Sequence, residues 1–166
     1  MEFKSGDDVV HPDYGVGNIV RLEDRQLAES VMRQYYVLAF GNMLVWSPVQ
    51  ANAASPLRRV TARQDLDHYR TLLKSRPTPL DRDYRKRRLD LQEHLAHGSF
   101  QEVCEVVRDL TALGWYKPIG EVDASVLKRA RTMLWQEWAT STSQPLPAAI
   151  REVTDLLEAG KQTYKT

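Results

Sequence analysis

Arg33-Gln34-Tyr35-Tyr36-Val37-Leu38-Ala39-Phe40, then Gly41-Asn42, then Met43-Leu44-Val45-Trp46, is the stretch whose reading decides the first half of the fold. The leading run is dense in aromatic and branched residues, which suit a pleated, half-buried strand. Two residues separate it from the second apolar run. Gly41 in that link supplies the positive φ of a type II′ turn, so the pair reads as a β-hairpin. Upstream, Val16 to Leu22 and Val9-Val10 read as further strands, separated by the turn His11-Pro12-Asp13-Tyr14-Gly15 with its Pro and Gly punctuation. Downstream, Leu57-Arg58-Arg59-Val60 is a last short strand candidate.

Five short strands predict a small Tudor/SH3-like β-barrel over residues 1–60. Such a barrel has little core, so part of its apolar surface is available to a partner. Beyond Val60 the texture turns charged and helical. A first helix opens at Thr61 or Ala62, carries Leu66, Tyr69, Leu72 and Leu73, and ends at Pro77 and Pro79. A second runs from about Leu80 to His97 and stops at Gly98. Ser99 and Glu102 then form a capping-box pattern ahead of the stripe Val103, Val106, Val107 and Leu110. Asp123 reads as the cap of a long helix holding Val126, Leu127, Ala130, Leu134 and Trp138. Ile150, Val153, Leu156 and Leu157 mark a last helix, stopped by Gly160. The expected fold is therefore α+β in two domains, with the barrel at 1–60 and an all-α domain of four to five helices at 61–166.

The 166 residues are 42% hydrophobic and 27% charged, the balance of a globular chain. Formal net charge is only +1, which excludes a protein that holds any nucleic acid by bulk counterion release. Residues 1–60 are net −1 and residues 61–166 net +2, so any DNA contact belongs to the second part. One cysteine, Cys104, can neither staple the fold nor build a thiolate zinc site. It fits a reducing compartment. No window has the apolar length of a membrane span, and no signal peptide or anchor is visible, so a cytoplasmic protein without a membrane partner is expected.

Catalytic patterns are missing. His11, His68, His94 and His97 form no metal-binding pair, and Glu93 is the only acidic residue noted beside His94 and His97. Gly15-Val16-Gly17 lacks the Lys-Ser/Thr and the following helix of a phosphate loop. There is no Gly-x-Ser-x-Gly. The chain reads as a non-enzyme without a metal or cofactor. The informative stretch is Arg82-Asp83-Tyr84-Arg85-Lys86-Arg87-Arg88, in which cations flank one aromatic at a helix start. Its cations suit phosphates and its ring suits a base, although the same composition also describes a solvated helix face. Lys128-Arg129-Ala130-Arg131 is a second, more ordinary basic run. Trp46 precedes Pro48 on a strand that reads as an edge, a natural place for another protein to dock.

Phe3-x-x-Gly6-Asp7-x-Val9-Val10-x-Pro12-x-x-Gly15-x-Gly17 resembles the opening motif of the CarD/CdnL family of bacterial RNA polymerase-binding transcription regulators. The same Tudor-like module occurs in the transcription-repair coupling factor. Leu95-Ala96-x-Gly98, then Glu105-Val106-Val107-Arg108-Asp109-Leu110, then Leu127-x-x-Ala130-x-x-x-Leu134 resembles the CarD helical domain, which the coupling factor's module lacks.

The resemblance implies an N-terminal module docked on the β subunit of RNA polymerase, with Arg25, Val45 and Trp46 at the contact. It implies a helical domain that reaches promoter DNA at the upstream edge of the transcription bubble and stabilises the open complex. Tyr84 falls where the family carries an aromatic wedge, Arg85, Lys86, Arg87 and Arg88 flank it as phosphate contacts, and Arg129 matches a basic position on a later helix. The family usually has Trp at the wedge, so the smaller Tyr ring predicts weaker stacking. Some members have Arg where Trp46 stands, which predicts a more apolar docking contact. A nearly neutral chain fits this scheme, because tethering to polymerase raises the effective DNA concentration to the order of mM. A monomer, nucleoid-associated through polymerase, is expected. The alternative is an adaptor of the same fold that binds polymerase without functional DNA contact.

Overall fold

The computed structural model describes residues 3–26, 29, 31–49 and 56–166. The chain divides into two compact units, Met1–Val60 and Thr61–Thr166.

The first unit is an antiparallel sheet of β1 (Asp8–His11), β2 (Gly15–Arg25), β3 (Arg33–Phe40), β4 (Met43–Pro48) and β5 (Arg58–Arg59), in the order β4-β3-β2-β1-β5. The hairpin forms where the sequence predicts it. Phe40 pairs with Met43 across two residues, and Gly41 takes φ +59°. The pairings among the described residues do not close the sheet into the expected barrel, since β5 has two residues and pairs with β1. Alternation along β3 sends Tyr36, Leu38 and Phe40 to one face, where they meet Phe3, Val9, Ile19 and Leu57 in a small core. Gly17 is required by close packing, because a Cβ there would lie 2.6 Å from the Ala39 carbonyl and from the Phe40 ring.

The second unit contains α1 (Leu66–Lys74), α2 (Tyr84–His97), α3 (Phe100–Leu113), α4 (Glu121–Thr142) and α5 (Leu146–Tyr164). Leu66, Leu95, Leu110, Leu134, Trp138 and Val153 are among the residues of its core. Gly98 ends α2 in the left-handed conformation, and the Ser99 hydroxyl accepts from the Glu102 N–H at 3.1 Å to open α3.

Four helix boundaries differ from the sequence reading. The first helix was expected to open at Thr61 or Ala62, but a 3-10 turn at Arg63–Asp65 precedes α1, which begins at Leu66. The second helix starts at Tyr84, not Leu80, because the Asp83 carboxylate accepts from the Arg85 N–H at 2.9 Å and caps it there. Asp123 does not cap α4, because Gly120 precedes the helix and Asp123 lies buried within its first turn. Gly160 does not stop α5, which continues to Tyr164. A Cβ at Gly160 would come within 3.2 Å of the Lys74 carbonyl at the end of α1, so this glycine serves helix packing. The entry to the helical unit is pinned by the buried Glu137, whose Oε2 accepts from both the N–H and the hydroxyl of Thr61, at 2.9 and 2.7 Å.

Candidate functional site

Each unit carries one surface assembled from residues singled out above. In the sheet, Trp46 lies opposite Val37, and Val37 opposite Arg21. Directly opposed residues share a face, as do residues two apart on a strand, so Glu23 and Arg25 join them. The Trp46 indole N–H donates to Glu23 Oε2 at 3.2 Å, and Arg21 donates to the same oxygen at 3.1 Å. The Arg25 guanidinium lies over the Trp46 ring, 5.0 Å from its centroid. The indole hydrogen bond is the main cause that holds Glu23 below the usual carboxylate range, with the two arginines adding to it. Trp46 remains 37% exposed above the fully buried Val37, and Leu44 is exposed two residues away on the same face.

Val45 is a correction. It was expected beside Trp46, but it pairs with Leu38 and packs half-buried against the core, because neighbouring strand residues point to opposite faces. Glu23, Arg21 and Leu44 were not anticipated. Only the strand register shows that they border Trp46.

In the helical unit, Tyr84 opens α2. It shares a helical face with Leu91 and Leu95, seven and eleven residues on. Both leucines are buried, whereas Tyr84 is 59% exposed. The ring therefore continues an inward-facing stripe beyond the point where the bundle covers it. Arg85 donates from Nε to the Tyr84 hydroxyl at 3.3 Å, and its guanidinium lies 5.7 Å from the ring centroid. Lys86 and Arg88 are exposed. Leu89, which no sequence pattern flagged, is 66% exposed one turn further along.

Arg87 is the second correction. Its guanidinium turns inward and grips Asp123 with two hydrogen bonds, Nη2 to Oδ2 at 2.8 Å and Nε to Oδ1 at 3.2 Å. The two side chains are only 12% and 9% exposed. Arg87 also donates to the Asp81 carbonyl at 2.8 Å. The Asp123 hydrogen bond holds it above even the ordinary arginine value. A guanidinium committed in this way ties the start of α2 to the first turn of α4 rather than facing phosphate. Arg129 lies six residues after Asp123, which sets it about 120° round α4 from that carboxylate. It is exposed on a different face from the one that meets Arg87.

His94 and His97 gain a partner that the sequence reading missed. Both present Nδ1 to Glu102 Oε2, at 3.2 and 2.7 Å, where the end of α2 meets the start of α3. Burial pushes Glu102 up, but the Ser99 hydroxyl and the two imidazoles outweigh it and hold the carboxylate low. Cys104 is buried in the helical core. Among the described residues, no group of three or more His, Cys, Asp or Glu side chains is arranged to hold a metal ion, and no helix is long and apolar enough to cross a membrane.

A five-stranded antiparallel sheet unit followed by a unit of five α-helices is the two-part arrangement that the comparisons with known families recognise. Residues 3–61 match the family described as the CarD-like/TRCF RID domain, and residues 69–154 match the CarD C-terminal domain. The chain belongs to the CarD family. It is also 28% identical over 137 residues to "Putative transcription factor YdeB" of Bacillus subtilis (strain 168), covering 81% of this chain and 89% of that one.

Proposed function

We propose that the protein is a transcription regulator that docks on the β subunit of bacterial RNA polymerase through residues 1–60. Its helical unit, residues 61–166, then contacts promoter DNA at the upstream edge of the bubble and stabilises the open complex. The observation that carries this reading is Tyr84, a ring left 59% exposed on the helical face that it shares with the buried Leu91 and Leu95. The ring stands on a helix start fixed by the Asp83 cap and by the Arg87–Asp123 pair. A wedge needs such a fixed base, because a mobile ring loses in ordering entropy what it gains by stacking. Stacking of one aromatic on a base is worth roughly 1–3 kcal/mol, and about 1.4 kcal/mol is a tenfold change in lifetime.

Phosphate contact falls to Arg85, Lys86 and Arg88, with Arg129 as an outlying contribution. Docking falls to the Trp46 face with Arg25. Binding to fork-junction promoter DNA in the presence of polymerase tests this division. Arg85→Ala and Arg88→Ala should each lower the magnitude of the salt slope by about 1, whereas Trp46→Ala should weaken recruitment without altering that slope. An unchanged slope in both arginine variants would contradict phosphate contact.

The adaptor reading, polymerase binding without DNA contact, draws on a specific observation. Asp81, Asp83 and Asp90 border the basic run, and Arg87 is neutralised by Asp123. Polymerase binding without any difference in fork-junction contact between the intact protein and Tyr84→Ala would favour it. The proposed role belongs to the cytoplasm, at the nucleoid.

A further inference from the structure

Beyond Tyr84, the helical unit carries a second place where aromatic rings meet cations. The segment between α1 and α2, the turn after α3 and the end of α5 border an open groove of about 480 Å³. Pro77, Pro79, Leu80 and Leu113 give it apolar walls, and Tyr116 and Tyr164 line it with rings. Tyr116 is 60% exposed. The Lys165 ammonium lies over the Tyr116 ring, 5.5 Å from its centroid, and the Arg76 guanidinium lies 4.8 Å from the centroid of Tyr164. Both repeat the pairing of Arg85 with Tyr84.

Charge narrows what the groove can take. Arg76 and Lys117 line it, and Asp109, the acidic residue of the lining, is already held by Arg108 at 2.8 Å and by the Thr78 N–H at 2.9 Å. Leu80, Leu113 and Lys117 also line the adjoining depression, which contains Arg82 and the Arg87–Asp123 pair, so the cations continue toward the start of α2 and Tyr84. Among the described residues, no carboxylate lies within ion-pair distance of Arg76, Arg82, Lys117 or Lys165, in contrast to Arg70, Arg87 and Arg108. Asp81 offsets one of these four charges. The occupant must therefore bring several negative charges spread along its length, and flat surfaces for the two rings. A single strand of nucleic acid brings a phosphate and a base at every step. An acidic peptide brings the charges without the rings, and a duplex keeps its base faces stacked on one another.

We propose that this groove binds single-stranded nucleic acid, with bases resting on Tyr116 and Tyr164 and phosphates held by Arg76, Arg82, Lys117 and Lys165. The proposal rests on the reading of the helical unit as a promoter contact, and it gives a melted strand a course from Tyr84 across that unit. Tyr164 and Lys165 lie outside residues 69–154, so this end of the groove is built from residues beyond the match to the CarD C-terminal domain.

Backbone amide signals of Thr78, Leu80, Tyr116 and Lys117 in nitrogen-edited NMR spectra of the full chain provide the test. The probes are a short oligothymidylate, a duplex of the same length and oligoglutamate. Oligothymidylate should move all four signals saturably, and added salt should reverse the shift. Duplex and oligoglutamate should move them more weakly. Tyr116→Ala should weaken the strand by about tenfold, the value of one stacked base, and leave the salt slope unchanged. Lys117→Gln should lower the magnitude of that slope by about 0.7. An unmoved Trp138 indole signal, from a side chain already bonded to Glu152, reports that each variant is folded. Tyr84→Ala separates this groove from the wedge, because the four signals should still respond to the strand whatever that variant does to open-complex lifetime. The proposal is overturned if oligothymidylate moves none of the four signals up to about 1 mM, beyond the range of non-specific binding. It is equally overturned if duplex or oligoglutamate acts as strongly, the latter making the groove a site for acidic peptides. Binding by both groove variants as by the intact chain, or loss of the response in Tyr84→Ala, would also overturn it.

Discussion

Each unit contains a tryptophan whose indole N–H donates to a glutamate while an arginine lies over the ring. In the helical unit they are Trp138, Glu152 and Arg70, with the indole bond at 2.7 Å and the guanidinium 5.5 Å from the ring centroid. In the sheet unit they are Trp46, Glu23 and Arg25, at 3.2 and 5.0 Å. Chemistry and geometry are nearly the same, and burial is not. Trp138 is fully buried among Phe100 and the other residues of the helical core, whereas Trp46 is open to solvent. The same three groups thus serve packing in one place and presentation in the other. The glutamate and arginine hold the Trp46 ring in one orientation before any partner arrives, and such preorganisation lowers the entropic cost of docking.

The comparison breaks most visibly at the buried member. Trp138→Ala should cost the helical unit about 3–5 kcal/mol, the usual range for emptying a buried aromatic site. Urea unfolding followed by the helical circular dichroism signal measures it, and a loss no greater than that of Trp46→Ala would undo the contrast. Next in size is the ion pair under the proposed wedge. Arg87→Ala strands Asp123 and should cost about 3 kcal/mol, against about 0.5 kcal/mol or less for its exposed neighbour in Arg88→Ala. Equal costs in the same unfolding assay would mean that Arg87 does not anchor α2.

At the exposed member the effect moves from stability to binding. Trp46→Ala should leave stability within about 1 kcal/mol. It should weaken the polymerase β complex by about 2 kcal/mol, roughly thirtyfold in Kd. Calorimetry with an isolated β fragment would measure this, and unchanged affinity would refute the docking face. The smallest effect is in acid. Glu23 is held below the usual carboxylate value by its indole and arginine partners, so its contribution is complete above the unfolded-state pKa. It is lost as pH falls through the lowered folded-state value. Trp46 emission should therefore change only below about pH 4.5, and a transition nearer neutrality would point to another group.

Much of this was legible in the residues, and what was missed has physical causes. The Gly41-Asn42 hairpin, the Gly98 helix end and the Ser99 start of α3 follow from local backbone chemistry, which a short window contains. Tyr84 was legible as an aromatic among cations at a helix start, but its exposure depends on where the bundle ends. Arg87 could not be told from Arg85 or Arg88 by composition. Its partner lies 36 residues away, and only the packing of α2 on α4 turns it inward. Gly160 read as a stop because its contact with the end of α1 is likewise distant in sequence.

The central claim is that Tyr84 is a wedge presented by a fixed helix start. The lifetime of a promoter open complex formed by bacterial RNA polymerase, challenged with competitor DNA, tests it most directly. The intact protein should lengthen that lifetime, and Tyr84→Ala, folded and still bound to the β subunit, should lose about tenfold of it, in line with one stacked base. A Tyr84→Ala protein that prolongs the open complex as well as the intact one would contradict the account and make Tyr84 an ordinary surface residue.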